Sequence, residues 1–152
     1  MATPTSSVDT DEASGIWFLN NSTGSPQVGL DLPTLQAGWA YEGWAVIEGT
    51  PVSTGTFTSP SGADDAAPFS GDGAGPPYPG EDFVRNAPAG LTFPTDLRGG
   101  TAVISIEPVP DNSPNPFLLK PLVGPISETA DVHSVQQMGQ NLNFPTGTVS
   151  IK

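Results

Sequence analysis

Apolar and β-branched residues gather along this chain in runs of four to eight, separated by clusters of Gly, Pro, Ser and Asp. That is the pattern of short strands rather than of helices. Seven to nine strands are predicted: 14–20 (SGIWFLN), 28–32 (VGLDL), 39–48, 51–58 (PVSTGTFT), 90–93 (GLTF), 101–107 (TAVISIE), 116–120 (PFLLK), a stretch near 132–138, and 146–151 (TGTVSI). Alternation is clearest in TAVISIE, where Ala102, Ile104 and Ile106 point one way and Thr101, Ser105 and Glu107 the other, with Val103 as the exception. This reads as a half-buried antiparallel strand. Val132, Val135 and Met138, spaced by three, also fit a short helix, but the brevity of the segment favours a strand or irregular edge.

The stretch GWAYEGWAVIEG (38–49) carries two of the three tryptophans. Tyr41, Gly43, Ala45 and Ile47 share one face of an extended chain; Glu42, Trp44, Val46 and Glu48 share the other. Apolar groups on both faces mark a central strand, with Tyr41 and Ile47 in the core and Trp44 partly covered by a loop. An aromatic binding platform is the alternative. Glu48-Gly49-Thr50-Pro51 supplies a turn, so 39–58 is predicted to be a hairpin, with Gly55 marking a bulge or a close backbone approach. The phrase LPTLQAG (32–38) returns loosely as FPTDLRGG (93–100), each before a strand.

Composition agrees with this reading and narrows it. Eighteen Gly and eighteen Pro in 152 residues rule out a mostly helical chain. The fold class expected is all-β: one antiparallel two-sheet β-sandwich over 14–152, Ig-like in general architecture, preceded by a flexible leader at 1–13 that is polar and lacks apolar periodicity. With no cysteine, the domain must rely on its apolar core. Sixteen acids against four bases, a net charge of −12, exclude nucleic acid as a partner and disfavour anionic lipid. No apolar run has the length of a membrane span.

Residues 59–89 form one long loop rich in Gly, Pro and Asp, too rich in breakers for a strand, and expected to be an ordered flap pinned by Phe69, Tyr78 and Phe83. Its acids Asp64, Asp65, Asp72, Glu81 and Asp82 are the candidate metal ligands, because carboxylates interleaved with glycine suit calcium. A solvated acidic loop is the plainer alternative. Arg85 or Arg98 could clasp Glu81 or Asp82, but each has many other carboxylates to meet, and an ordinary surface pair is the plainer reading for both. A lone histidine, His133, fits a surface position better than a catalytic base, and no serine sits in a nucleophile elbow. No enzymatic activity is expected, and no cofactor beyond possible calcium.

Tyr41-Glu42-Gly43-Trp44, then Gly49-Thr50-Pro51-Val52-Ser53-Thr54-Gly55-Thr56-Phe57, and later Ala102-Val103-Ile104-Ser105-Ile106-Glu107-Pro108 together resemble the extracytoplasmic C-terminal domain of anti-sigma-K-type anti-sigma factors. That family shows a Tyr-x-x-Trp strand, a turn, a Gly-x-Phe strand and an apolar strand ending in Glu-Pro. The likeness runs from about Trp17 to Leu122. It implies a β-domain outside the cytoplasmic membrane, in the periplasm or at the cell surface. The His-x3-Cys-x2-Cys element that accompanies the family's sigma-binding segment is absent here. The resemblance therefore implies the outer part of a longer protein or a free-standing relative such as a lipoprotein, with membrane attachment only through an anchor outside this sequence.

The function expected is a non-enzymatic extracytoplasmic sensory or binding module for a protein partner or small ligand. A structural surface or filament subunit, self-associating through edge strands, is one alternative. A calcium-dependent carbohydrate-binding module using the acidic loop with Trp39 or Trp44 is another.

Overall fold

The computed structural model describes residues 3–141 and 145–152. Within them the chain is all-β and antiparallel, and it contains no helix. Its centre is a five-stranded sheet of order β5-β4-β7-β8-β9, made of β4 (Trp39–Ile47), β5 (Thr50–Phe57), β7 (Thr101–Pro108), β8 (Leu122–Pro125) and β9 (Gly139–Gln140). Two ribbons accompany it: β1 (Gly15–Trp17) with β6 (Gly80–Asp82), and β2 (Leu19–Asn20) with β3 (Gln27–Val28).

The long strands form where alternation and β-branching are strongest. β4 and β5 make the expected hairpin, closed by Glu48 and Gly49 at φ 51° and 81°, the left-handed pair that a two-residue turn between twisted strands requires. The register shifts between Gly43 and Trp44, opposite Gly55. Gly55 has φ 124°, and a Cβ there would lie 2.9 Å from the Asp64 carboxyl carbon, so it marks both a bulge and a close approach. Across from it, Gly43 leaves room for the Phe18 ring and the Thr54 hydroxyl. The two loosely repeated phrases close on Gly38 and on Gly99-Gly100, with Gly38 and Gly99 at positive φ, just ahead of the neighbouring strands β4 and β7.

One face of the sheet carries the core. Tyr41, Phe57, Ala102 and Ile104 pack with Phe18 and Leu30; Ala45, Ile47 and Val52 pack with Phe83 and Leu97; Ile16 bridges the two groups. The layer facing the sheet is thus built from the ribbons and the long loop, giving a sandwich-like arrangement. As expected, the flap is pinned: Phe83 is fully buried against Phe69 and Phe93, and the Tyr78 hydroxyl donates to the Pro26 carbonyl at 3.2 Å.

Several expectations are corrected. Residues 14–20 divide into β1 and β2, which pair with different partners. The loop contains a strand after all, β6, because Gly80 lets the chain pass close beneath Trp17 and pair with β1. Residues 90–93, 116–120 and 146–151 form no strand. The fourth sheet strand starts two residues beyond the apolar run at 116–120, and Val149 and Ile151 lie exposed. Residues 132–138 are irregular and lead into β9.

The leader is also not a free tail. Met1 and Ala2 lie outside the described residues, but Thr3, Thr5 and Asp11 are buried. The Thr5 N–H and hydroxyl donate to Asp82 Oδ2 at 2.9 and 2.6 Å, and the same hydroxyl accepts the Gly71 N–H at 2.8 Å. Polarity is what docks this segment, since buried acids in the loop need donors. Thr5→Val is expected to cost about 1–3 kcal/mol by stranding the Gly71 amide and leaving Asp82 Oδ2 with the residue-5 N–H alone. Hydrogen exchange at the amides of residues 3–11 should accelerate at the same time; unchanged exchange there would contradict the docking.

Candidate functional site

The second face of β4 and β7 was expected to be half-polar, and it is buried instead. Trp44 is 1% exposed, Val103 5%, and Ser105 and Glu107 are equally enclosed. Trp44 is therefore covered far more fully than the partial shielding expected, which removes it as a binding platform. Register places Glu42 beside Ser105, Ala40 beside Glu107 and Trp44 beside Val103. Side chains from β4 and β7 that lie far apart in sequence thereby share one surface.

A hydrogen-bonded chain organises that surface. The Trp44 indole N–H donates to Ser105 Oγ at 2.8 Å, and the Ser105 hydroxyl donates to Glu107 Oε1. The same carboxylate oxygen accepts the Phe117 N–H at 2.7 Å, which folds the segment after β7 back across the sheet end. Glu42 Oε1 accepts the Ser53 hydroxyl from β5, and Ser53 Oγ accepts the Gly55 N–H at 3.0 Å. Each glutamate is held by one oxygen. The other, Oε2 in both, is buried without a hydrogen-bond partner.

These glutamates line a groove of about 380 Å³ together with Ala40, Ser53, Thr56 and Asp111. Among the described residues, no Lys or Arg lines it. Carboxylate oxygens of Glu42, Glu107 and Asp111 lie within 4.8 Å of one another, the one such group of three acids among the described residues. Burial pushes the Glu42 carboxyl up to about 7; Ser53 opposes the shift, and the like charges of Asp111 and Glu107 reinforce it.

The acids of the long loop do not assemble into a site. Asp64 Oδ2 accepts the Gly80 N–H at 2.8 Å, and burial pushes this carboxyl up to about 7. Both oxygens of Asp65 are taken by Thr56, through its N–H at 2.7 Å and its hydroxyl at 2.9 Å. Asp72 sits exposed against Arg85 at 2.6 Å. Glu81 is buried and accepts the Ser70 hydroxyl, with burial raising its pKa. Asp82 binds Thr5 and the Trp17 indole N–H, the latter at 2.9 Å. Each acid serves a local donor, so the loop gives calcium no shared centre. The arginines make ordinary surface pairs: Arg85 holds Asp72 and Arg98 holds Asp96, neither reaching Glu81 or Asp82.

Sequence reasoning placed Glu42 and Glu107 on the right strands without singling them out. The available signal was an acid sharing a strand face with apolar residues, as Glu42 does with Trp44. Asp111 carried no signal, because only the path of the chain after β7 brings it across.

His133, the lone histidine, is exposed at φ 62° and does not line the groove. Among the described residues, no helix is long and apolar enough to cross a membrane. The fold and the groove define a class, an all-β domain with a carboxylate-lined cleft at the end of its main sheet. No family model, curated protein or solved structure matches the chain.

Proposed function

We propose that this chain is a non-enzymatic binding module acting outside the cytoplasm, and that the groove over β4, β5 and β7 is its recognition surface. The observation that carries the reading is the convergence of Glu42, Glu107 and Asp111 in one partly enclosed cleft. Three carboxylates with oxygens within 4.8 Å of one another give a ligand or ion one concentrated, negatively charged point of attachment. The compartment rests on the resemblance to anti-sigma outer domains, and its motifs lie on the groove strands: YEGW contains Glu42, and AVISIEP contains Glu107.

A second reading, carbohydrate binding, has its own support. Trp39 is 39% exposed and stacks at a tilt against Phe117, with ring centroids 6.1 Å apart. It pairs with Pro108, which lines the groove. On β4 the indole falls on the face of Tyr41, opposite Glu42, so it would offer a sugar platform at the strand end rather than a wall of the groove.

Amide chemical-shift mapping against soluble oligosaccharides and envelope extracts tests both readings. Perturbations centred on residues 40–42, 53–56 and 107–111 support a binding groove, and their extension to Trp39 and Phe117 with glycans supports the carbohydrate reading. Hydrolysis of a glycoside or peptide substrate that is lost in Glu42→Gln would replace the module with an enzyme. Fractionation of cells carrying the native gene tests location; recovery in the cytoplasm alone would contradict that part of the proposal.

A further inference from the structure

We infer that Glu42, Glu107 and Asp111 form a binding site for a hard divalent cation of the calcium class. The inference deepens the binding-module reading and rests on the same groove. Two independent observations point to it. The first is geometric: three carboxylate groups from two strands and a following loop bring oxygens within 4.8 Å of one another. The second is an unmet demand. Glu42 and Glu107 are 5% and 1% exposed, yet each keeps one carboxylate oxygen with no donor. Buried carboxylates ordinarily pair with a base, bind donors through both oxygens or coordinate a metal. Here the first two solutions are lacking for Oε2, since no Lys or Arg lines the groove.

The donor set selects the class of ion. Carboxylate and hydroxyl oxygens are hard ligands, and the groove offers neither sulfur nor imidazole, which disfavours zinc and copper. Three carboxylates, completed by water and by Ser53 or Thr56 oxygens, suit the six to eight oxygens and loose geometry of calcium better than the strict octahedron of magnesium. The supporting bonds hold one oxygen of each glutamate and leave the other free. Ser53 fixes Glu42, while Ser105 and the Phe117 amide fix Glu107, so these serines act as positioning residues. Asp65 also lines the groove, but both its oxygens are engaged by Thr56.

The test is calorimetric titration of the whole protein with calcium chloride at pH 8, with magnesium and zinc as parallel arms, paired with thermal melts. One calcium per chain is expected. The double variant Glu42→Gln/Asp111→Asn should lose the calcium response while keeping the native near-UV spectrum, and Asp72→Asn should retain it. Should the double variant not fold, Asp111→Asn alone, at a partly exposed loop position, is expected to weaken binding at least about tenfold. Absence of a calcium response at pH 8, an equal response to magnesium, or a response that survives these substitutions would each overturn the inference. If calcium fails while oligosaccharides or extracts still perturb residues 40–42 and 107–111, the cation site falls and the binding module stands. Loss of both removes the groove as a functional surface.

Discussion

Trp44→Ala is expected to destabilise the protein by about 3–5 kcal/mol, as truncation of a buried tryptophan leaves a cavity and forfeits its contacts. The indole is 1% exposed in the middle of β4, flanked by β5 on one side and β7 on the other, so the sheet cannot readily collapse into the space. A second loss adds to the first. Without the indole N–H, the Ser105 hydroxyl loses its donor and the restraint it places on Glu107 loosens. Trp44→Phe separates the two effects, since it fills most of the volume without the N–H and should cost less. Urea denaturation monitored by circular dichroism reads both variants. A cost below about 1 kcal/mol for the alanine variant would contradict the burial of this face.

The parts of the fold legible in the sequence are the parts decided locally. β4, β5 and β7 are long and rich in apolar and β-branched residues, and each was expected close to where it lies. The faces were legible as well: Tyr41, Ile47, Ala102 and Ile104 all meet in the core. What stayed hidden depends on distant pairing. β1, β2, β3, β6 and β9 are two or three residues long, too short for any periodicity, and exist because another segment supplies the opposite ladder. The run PFLLK misled because hydrophobicity alone does not set register; Leu119 supplies only a carbonyl to Ile106, and the paired strand is Leu122–Pro125. The leader misled in the opposite sense, its few buried threonines and Asp11 being polar.

The candidate site was legible as chemistry and not as place. Calcium-suited acids were sought where acids are dense, in the long loop, yet density in sequence is not convergence in space. There, backbone amides, hydroxyls and one arginine take up the acids singly. Glu42 and Glu107 converge only once β4 and β7 are in register, and Asp111 only once the chain turns back toward Phe117.

Stability is expected to fall as pH rises from about 4.5 to 7, opposite to the usual behaviour of a protein with paired carboxylates. Glu42 has a folded-state pKa of about 7 against an ordinary 4.5, so between these values the native state binds the proton that the unfolded state has released. Its cost is nil below 4.5, grows through the window and is complete above 7. For one buried carboxyl with this shift the change is about 3 kcal/mol. Asp64, raised from 3.8 to about 7, acts in the same direction, while the lowered pKa of Asp96 beside Arg98 acts in the other at an exposed position. Glu42→Gln isolates the contribution: it should flatten the profile and stabilise the protein at pH 8 relative to the parent. Denaturant midpoints across pH 4–8, in buffers free of divalent cations, check this. A parent profile that rises monotonically to pH 8, or a glutamine variant with the parent's slope, would contradict it.

The most direct test of the groove as a buried carboxylate cluster is a carbon-13 titration of the Glu42 side-chain carboxyl in the cation-free protein. The expected midpoint is near 7, moving downward in Asp111→Asn as one neighbouring charge is removed. A midpoint near 4.5, unmoved by that substitution, would mean that Glu42 is solvated and uncoupled from Asp111, and the groove would not be the site described.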